Sequence, residues 1–222
     1  MQTYPVFLNI NRQRVLVVGA GAVGRRKIAG LLAHGPAEIL VLDICEARRK
    51  ELPDASCIHF ACRSFSPEDT VGMSLVFAAS SDRKTNSKIA IHCKEQGIPC
   101  NVADAPEEGT FHVPSLFSTG EFTIAFSTGG SSPALARRIG REVKDQYGPL
   151  LELMNRLRPL VLALGFSSDE NATIFRTLVD SDLAEILRNG NVSSMQGDAE
   201  KLLRHLLPAA LHQDIRSLLP DV

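Results

Sequence analysis

The sequence predicts an α/β fold in which a parallel sheet carries helices on both faces, followed by a small α+β segment and a helical C-terminal part. Short apolar runs alternate with helical patterns over the first hundred residues, and this alternation is typical of a parallel sheet covered by helices. From residue 148 onward only helical patterns occur. We therefore predict three parts, over residues 1–104, 105–147 and 148–222.

The predicted elements of the first part are short strands separated by helices. The strands cover residues 14–18, 38–42, 58–61, 75–79 and 100–102. The helices cover residues 23–34, 45–52 and 83–96. Gly97 ends the last of these helices and Pro99 precedes the next strand, as is usual for these residue types.

The second and third parts follow different patterns. Short strands are predicted over residues 111–113, 116–117 and 122–126, with Pro114 and Gly120 between them. A helix then begins at Pro133, because Ser132 is a suitable N-cap and proline suits the first helical position. The further predicted helices cover residues 150–164, 169–179, 182–188, 195–206 and 209–218. Gly190 is expected to end the helix over residues 182–188.

The composition excludes several classes of function. The 222 residues include 24 basic and 25 acidic side chains, so there is no overall basic field to hold nucleic acid or an anionic membrane. No apolar run approaches about 18 residues, and the N-terminus lacks the pattern of an export signal. The five cysteines and six histidines do not cluster, which indicates reduced thiols and no metal site. We expect a cytoplasmic protein with no nucleic-acid or membrane partner.

A glycine-rich turn directly follows the first predicted strand. Residues 19–24 read Gly-Ala-Gly-Ala-Val-Gly, and a helical pattern begins at once. At this spacing Gly19 makes the tight turn, Gly21 lets the backbone approach a pyrophosphate, and Gly24 lets the helix pack closely on the strand. The turn therefore predicts a Rossmann-like domain that binds a dinucleotide.

A carboxylate and three cations accompany this turn. Asp43 ends the second strand, about 20 residues on, where a carboxylate can accept hydrogen bonds from the adenosine ribose hydroxyls. It would repel a 2'-phosphate, which favours NAD over NADP. Arg25, Arg26 and Lys27 lie in the first helical turn, where a bound anion would offset their unfavourable interaction with the helix dipole. The alternatives are an ordinary glycine turn with a capping aspartate, and a solvated basic face.

The loop after the fourth predicted strand falls in the same crevice. Ligands of open α/β sheets bind at the carboxyl ends of the strands, where residues 78–82 and Asn86 are expected. Ser80 is a candidate contact of the nicotinamide ribose. Capping of the helix that begins at Arg83 is the alternative role for Ser80.

Three further segments are more specific than the glycine turn. They are Asn101-Val102-Ala103-Asp104-Ala105-Pro106, Phe111-His112-Val113-Pro114-Ser115, and Ser127-Thr128-Gly129-Gly130-Ser131-Ser132-Pro133-Ala134-Leu135-Ala136-Arg137. Together with residues 19–27, they make the sequence closely resemble the dehydrogenase/ferrochelatase module of the siroheme synthase family. The resemblance runs from Pro5 through the helical tail.

The resemblance implies a reaction, a cofactor and site residues. The reaction is the NAD-dependent oxidation of precorrin-2 to sirohydrochlorin, and in some members also the insertion of ferrous iron to give siroheme. It implies NAD contacts at Ala22, Val23, Asp43 and Ile44, and a functional aspartate at Asp104. It also implies a homodimer built largely through the middle part, with the tetrapyrrole in a cleft between the nucleotide domain and the other parts. Fused members continue into a methyltransferase domain, so a stand-alone form is expected here.

Such a reaction needs a general base and a site for a polycarboxylate. Loss of a hydride from a saturated carbon must be coupled to loss of a proton, and Asp104 follows a strand beside a proline-stiffened turn. An aspartate that bonds the turn backbone is the alternative role for Asp104, and Glu107 and Glu108 are nearby alternative carboxylates. Residues 127–132 precede a helix N-terminus, which makes Thr128, Ser131 and Arg137 candidate ligands of the substrate carboxylates. The alternative there is an ordinary capped helix.

Two other functions stay open at this point. A nucleotide-sensing regulatory module would explain residues 19–43, but it gives no account of residues 101–106 or 127–137. An NAD-dependent dehydrogenase of another substrate is the second alternative.

Overall fold

The computed structural model describes residues 4–119, 122–129, 131–189 and 192–219. It divides the chain into two compact units, Met1–Val113 and Pro114–Val222. The turn predicted at Gly120, the helix end predicted at Gly190, and Gly130 of the glycine-serine segment lie outside the described residues.

The first unit contains a five-stranded parallel sheet. Its strands are β1 (Arg14–Val18), β2 (Glu38–Asp43), β3 (Ile58–Cys62), β4 (Leu75–Ala78) and β5 (Cys100–Val102), and its α-helices are α1 (Ala22–Leu32) and α2 (Arg83–Gln96). The strands lie in the order β3-β2-β1-β4-β5. The chain moves from β1 toward one edge and then crosses to the other side of β1 with β4. The topological switch point therefore lies between β1 and β4.

The two faces of this sheet bury alternate residues of the same strand. Val17 of β1 packs in one core cluster with Ile28 of α1. Val18 packs in the other cluster with Ile89 of α2. Successive side chains of a strand point to opposite faces, so α1 and α2 cover opposite faces of the sheet. The predicted parallel sheet with helices on both faces is confirmed.

One predicted α-helix of this unit is wrong. Residues 45–52 form a 3-10 helix over Glu46–Glu51, and none of its residues is buried. Its sequence, Glu-Ala-Arg-Arg-Lys-Glu, has no apolar stripe that could pack on the sheet. Because most helical stability comes from a buried apolar face, an α-helix is not favoured here.

The strand predicted over residues 111–113 is also wrong. The backbone carbonyl of Phe111 accepts a hydrogen bond from the Asn101 side chain at 3.0 Å. The ring of Phe111 packs edge-on against Phe77 with centroids 5.4 Å apart. A side-chain amide therefore takes the carbonyl that a strand partner would bind, and the chain enters strand conformation only at Ser115.

The second unit consists of one β-hairpin and a set of helices. Its strands β6 (Ser115–Thr119) and β7 (Phe122–Phe126) are antiparallel. Its helices are α3 (Pro133–Ala163), α4 (Ser168–Val179), α5 (Leu183–Asn189), α6 (Val192–Leu206) and α7 (Ile215–Leu218). Leucines and other apolar residues of these helices form a single core cluster. Among the described residues, no helix combines the length and apolarity that a membrane crossing requires.

The predicted break between two helices of this unit is wrong. The helix that begins at Pro133 continues through Gly148 and Pro149, so it is one helix with the segment predicted separately over residues 150–164. Leu150, Leu153 and Leu157 are buried at helical spacing, and this packing outweighs one missing N–H donor. The predicted boundary at residues 147/148 therefore falls inside a continuous helix.

The last predicted helix, over residues 209–218, is divided. It consists of a 3-10 turn, Ala209–Leu211, and the short helix α7. The N–H of Asp214 donates to the carbonyl of Leu211 at 3.0 Å, which closes a turn between the two pieces. This break still lets Leu211 and Ile215 reach the core, since both are buried.

Candidate active site

The glycine turn after β1 lies at the topological switch point. Gly19 has φ of 101°, a left-handed conformation that favours glycine. A Cβ on Gly19 would overlap the backbone of Ala79, and a Cβ on Gly24 would overlap the carbonyl of Gly19. These two glycines therefore allow the turn to lie against the loop after β4 and allow α1 to begin directly above it.

Gly21 has a different role in the same turn. It is the N-cap residue of α1 and contributes no side-chain cap. A Cβ built on Gly21 would meet nothing within 4 Å, so the glycine leaves open space rather than relieving a clash. The first N–H groups of a helix have no acceptor within the helix, so those of Ala22, Val23 and Gly24 are available at this opening. The turn therefore fits the pyrophosphate of a dinucleotide.

Two of the three basic residues that follow the turn have partners within the chain. Arg25 forms an ion pair with Glu51. The Lys27 ammonium lies 5.8 Å from the centroid of the Phe77 ring. Burial, with a smaller effect from Arg26, lowers the pKa of Lys27 below its usual value. Arg26 is the exposed member of the group. Two of the three cations therefore already interact with side chains of the protein.

Asp43 joins the end of β2 to the glycine turn. One carboxylate oxygen accepts a hydrogen bond from the N–H of Ala20 at 2.7 Å, and the other accepts from the N–H of Cys45 at 2.9 Å. Each oxygen has a second lone pair, so these bonds leave capacity for ribose hydroxyls. The neighbouring Ile44 is 79% exposed. The carboxylate therefore lies at the end of β2, as predicted, and its hydrogen bond to Ala20 also holds the glycine turn in position.

Ser80 lies in the loop after β4, on the other side of the switch point. Its hydroxyl oxygen accepts a hydrogen bond from the N–H of Asp82 at 3.0 Å. The cap of α2 is Asp82, whose carboxylate accepts from the N–H groups of Lys84 and Thr85. These hydrogen bonds lower the pKa of Asp82, the largest cause being the Thr85 hydroxyl. The alternative role of Ser80 as the helix cap is therefore wrong.

Asp104 follows β5, the neighbour of β4. Its Oδ1 accepts a hydrogen bond from Nδ2 of Asn86 at 3.0 Å. Its Oδ2 lies 3.9 Å from Nε of Arg83, and Arg83 also pairs with Glu108. The Asp104 side chain is 38% exposed. The carboxylate is thus oriented by a buried amide and open to the crevice.

Asn86 contacts Asp104, a contact that the sequence does not predict. The sequence places Asn86 near the same crevice, but its hydrogen bond to Asp104 depends on the tertiary structure. Its side chain is completely buried, as are those of Ile89 and Cys93 on the same face of α2. A polar residue on an otherwise apolar helix face was the available signal, because buried amides need specific partners.

The segment before α3 belongs to the second unit. The Thr128 hydroxyl oxygen accepts from the N–H of Ser132 at 3.1 Å, and the Ser132 hydroxyl oxygen accepts from the N–H of Leu135 at 3.2 Å. The Ser131 N–H donates to the Thr128 carbonyl at 3.0 Å. Ser132 is the N-cap, as predicted. The hydroxyls of Ser127, Thr128 and Ser132 therefore already accept backbone hydrogen bonds, while the Ser131 side chain is exposed.

Cations continue along the first turns of α3. Arg137 and Arg141, with Ala134, line an open groove of about 510 Å³. Arg138 points elsewhere and pairs with Glu142 at 2.6 Å. Within the described part of the chain, no group of three His, Cys, Asp or Glu residues could hold a metal ion.

Comparison with known proteins identifies first the class of domain that the first unit forms, and then the relatives of the chain. The sequence profile of a family described as "Putative NAD(P)-binding" matches residues 6–115, which include the whole sheet and the glycine turn. The first unit is therefore a Rossmann-type NAD(P)-binding domain.

The relatives extend the match along the chain. The siroheme synthase of Methylococcus capsulatus is 30% identical over 218 residues, which are 96% of this chain and 45% of that protein. The siroheme synthase of Nitrosomonas eutropha is 34% identical over 202 residues, 88% of this chain and 42% of that protein. The siroheme synthases are therefore homologues of this chain over most of its length, and the chain spans less than half the length of these relatives.

A solved structure shows the same fold. The protein titled "SirC, precorrin-2 dehydrogenase" is 24% identical, and the match covers 90% of this chain and 100% of that one with a TM-score of 0.68. The arrangement of a parallel sheet, a small antiparallel sheet and C-terminal helices is therefore shared with a solved protein.

Replacement of Gly21 tests whether the glycine turn is needed for NAD binding rather than for folding. We expect Gly21→Ala to fold like the wild type, because its Cβ enters open space, but to bind NAD at least about tenfold more weakly, since the methyl group fills the space of the pyrophosphate. Calorimetric titration with NAD measures the affinity, and circular dichroism checks the fold. Gly30→Ala is the control, because Gly30 lies in the same helix and its Cβ would also meet nothing within 4 Å. Equal NAD affinity in both variants would contradict the assignment.

Proposed function

We propose that this protein is an NAD-dependent dehydrogenase that oxidises precorrin-2 to sirohydrochlorin in siroheme biosynthesis. The observation that carries the proposal is the Asp104 carboxylate, which follows β5 and is oriented by Asn86 beside the loop that borders the glycine turn. A dinucleotide turn after β1 and a carboxylate after β5, on the two sides of β4, are the two parts that a hydride-transfer reaction needs. The similarity to siroheme synthases over most of this chain supports the substrate class.

The residues of this chain supply orientation and proton transfer. NAD, when bound, supplies the acceptor for the hydride. Oxidation removes a hydride from a saturated ring carbon and a proton from the macrocycle, so a base must take that proton. Asp104 is the proposed base: Asn86 holds its Oδ1, and its partial exposure lets the proton pass on to water.

The proposed cofactor is NAD rather than NADP. Asp43 places a negative charge at the end of β2, where a Rossmann domain binds the adenosine ribose. A 2'-phosphate at that place would be repelled by the carboxylate. Ala22 and Val23, at the beginning of α1, and the exposed Ile44 are proposed as further contacts of the dinucleotide, with Ser80 on the nicotinamide side.

The beginning of α3 is the proposed binding element for the substrate carboxylates. A helix N-terminus favours anions, and here Arg137 and Arg141 add two cations that line an open groove. Thr128 and Ser131 supply hydroxyl groups in the preceding loop. The hydroxyl of Thr128 can still donate, because its observed bond uses the oxygen as acceptor.

Iron insertion is a second activity that the same carboxylate could serve. A ferrous ion entering sirohydrochlorin displaces two pyrrole protons, and Asp104 is the proposed acceptor of these protons, one at a time. Iron is the substrate in that step, and it requires no resident metal site.

We also propose a cytoplasmic homodimer. Strands β6 and β7 form a sheet of two strands, so within the described residues each has one edge without a strand partner. Leu116 of β6 is 49% exposed. Open strand edges are typical sites of pairing with another chain. The cysteines of the described residues are all free, as expected in a reducing compartment.

An anaerobic assay tests the proposed reaction. With precorrin-2 and NAD, the wild type is expected to form NADH and sirohydrochlorin, and Asp104→Ala is expected to lose about 100-fold or more in kcat while still binding NAD. Absorbance at 340 nm follows NADH. If the wild type forms no NADH, the proposed function is wrong, and a nucleotide-sensing module or another substrate becomes the better reading. Subsequent addition of ferrous ion shows whether metal insertion exceeds the spontaneous rate.

Neighbouring arginines of α3 test the substrate site. Arg137→Ala is expected to weaken sirohydrochlorin binding about five- to tenfold, because a charge-assisted hydrogen bond to a carboxylate is lost. The affinity for NAD should not change. Arg138→Ala is the matched control, because that residue pairs with Glu142 on the same helix. Equal effects of the two substitutions on sirohydrochlorin binding would rule out a specific role for Arg137.

The oligomeric state is measured directly by sedimentation equilibrium. At micromolar concentration the wild type is expected to have twice the mass of one chain. Leu116→Lys places a charge on the exposed side of β6 and should shift the equilibrium toward one chain. A wild type that sediments as a single chain would refute the dimer.

A further inference from the structure

We propose that Asn86 is a positioning residue that connects the loop after β4 to Asp104. It thereby fixes the position of the proposed base relative to the loop that borders the cofactor site. The inference rests on the proposed function and adds a residue to its machinery. Asn86 lies on α2, four residues past its N-cap Asp82, and its side chain is completely buried.

The Asn86 amide forms a two-point contact with one backbone residue. Its Oδ1 accepts a hydrogen bond from the N–H of Ser80 at 3.1 Å, and its Nδ2 donates to the carbonyl of Ser80 at 2.9 Å. This pairing fixes the orientation of the amide. In the reversed orientation, the amide NH2 would face the N–H of Ser80, and the amide oxygen would face the carbonyl oxygen of Ser80. The orientation follows from the backbone and does not depend on Asp104.

That fixed orientation leaves one N–H of the amide, and it points at Asp104. Nδ2 donates this second hydrogen to Oδ1 of Asp104 at 3.0 Å. Both hydrogens of Asn86 are therefore used, one on Ser80 and one on Asp104. A bond from a buried, immobile donor restricts the carboxylate much more than a bond from an exposed side chain, which has rotamer freedom.

No other residue type can make this set of contacts at position 86. An aspartate of the same shape has no donor for the Ser80 carbonyl or for Asp104. A glutamine is one methylene longer, and position 86 is completely buried among packed residues. The requirement for two donors and one acceptor in one short planar group explains a buried amide on this helix face.

The other groups around Asp104 do not fix it in the same way. Arg83 is half-exposed and lies 3.9 Å from Oδ2, beyond hydrogen-bond distance, and its nearer partner is Glu108. Asn86 is therefore the group that determines where the Asp104 carboxylate points. Ser80 borders the backbone of Gly19 through Ala79, so the same amide connects the base to the loop beside the glycine turn.

A double-mutant cycle with two readouts tests the proposal. The variants are Asn86→Ala, Asp104→Ala and their combination, each measured for native-state hydrogen exchange of the α2 amides and for single-turnover formation of NADH. If the bond exists, the effects of the two substitutions on amide protection should be non-additive by about fivefold or more. Additive protection would show that the bond is absent and would overturn the proposal.

The activity readout separates positioning from folding. Asn86→Ala is expected to lower kcat on the order of 10- to 100-fold while the KM for precorrin-2 changes by less than about threefold, because the base is displaced and substrate binding is not. In the Asp104→Ala background the same substitution should not lower the residual rate further. An equal loss in both backgrounds would indicate a purely structural role and would overturn the proposal.

Gly97→Ala is the matched control for the stability of α2. It places a Cβ on the left-handed C-cap residue, which has φ of 68°, so α2 loses protection, but Gly97 lies at the other end of the helix from Asn86. Its kcat should stay within about twofold of the wild type, and its effect on protection should be additive with that of Asp104→Ala. If the wild type itself forms no NADH, the proposed function fails, while hydrogen exchange still reports whether Asn86 holds Asp104.

Discussion

The close approach of two backbone segments at the switch point is the constraint on which the site depends. The turn after β1 passes so near the loop after β4 that a Cβ on Gly19 would overlap Ala79, and α1 begins so near the turn that a Cβ on Gly24 would overlap Gly19. Only glycine permits both contacts. They bring the ends of β1 and β4 together and leave the opening above Gly21 in which a pyrophosphate fits.

Hydrogen bonds from side chains to backbone hold the loops around this opening. Asp43 binds the N–H of Ala20 and so attaches the end of β2 to the glycine turn. Asn86 binds both backbone groups of Ser80 and continues to Asp104, which attaches the loop after β4 to the end of β5. The crevice is therefore a set of loops with fixed mutual positions, as a reaction that depends on orientation requires.

The basic residues at the starts of α1 and α3, which belong to different units, have different surroundings. The cations at the start of α1 are largely engaged, since Arg25 pairs with Glu51 and Lys27 lies over Phe77. Anion binding at the turn therefore relies on backbone N–H groups and the helix dipole. At the start of α3 the situation differs, because Arg137 and Arg141 line an open groove. In the proposed function, backbone N–H groups therefore bind the pyrophosphate, whereas arginine side chains contribute to the binding of the substrate carboxylates.

The sequence by itself determined the sheet, the glycine turn and the positions of Asp43 and Asp104, because strand periodicity and glycine spacing are local properties of the chain. It could not determine that α3 continues through Pro149, or that the carbonyl of Phe111 accepts a hydrogen bond from Asn101. Nor could it show that Asn86 reaches Asp104, 18 residues away. These features depend on which segments meet in space, and long-range packing outweighs local propensity wherever a buried apolar face or a buried amide finds its partner.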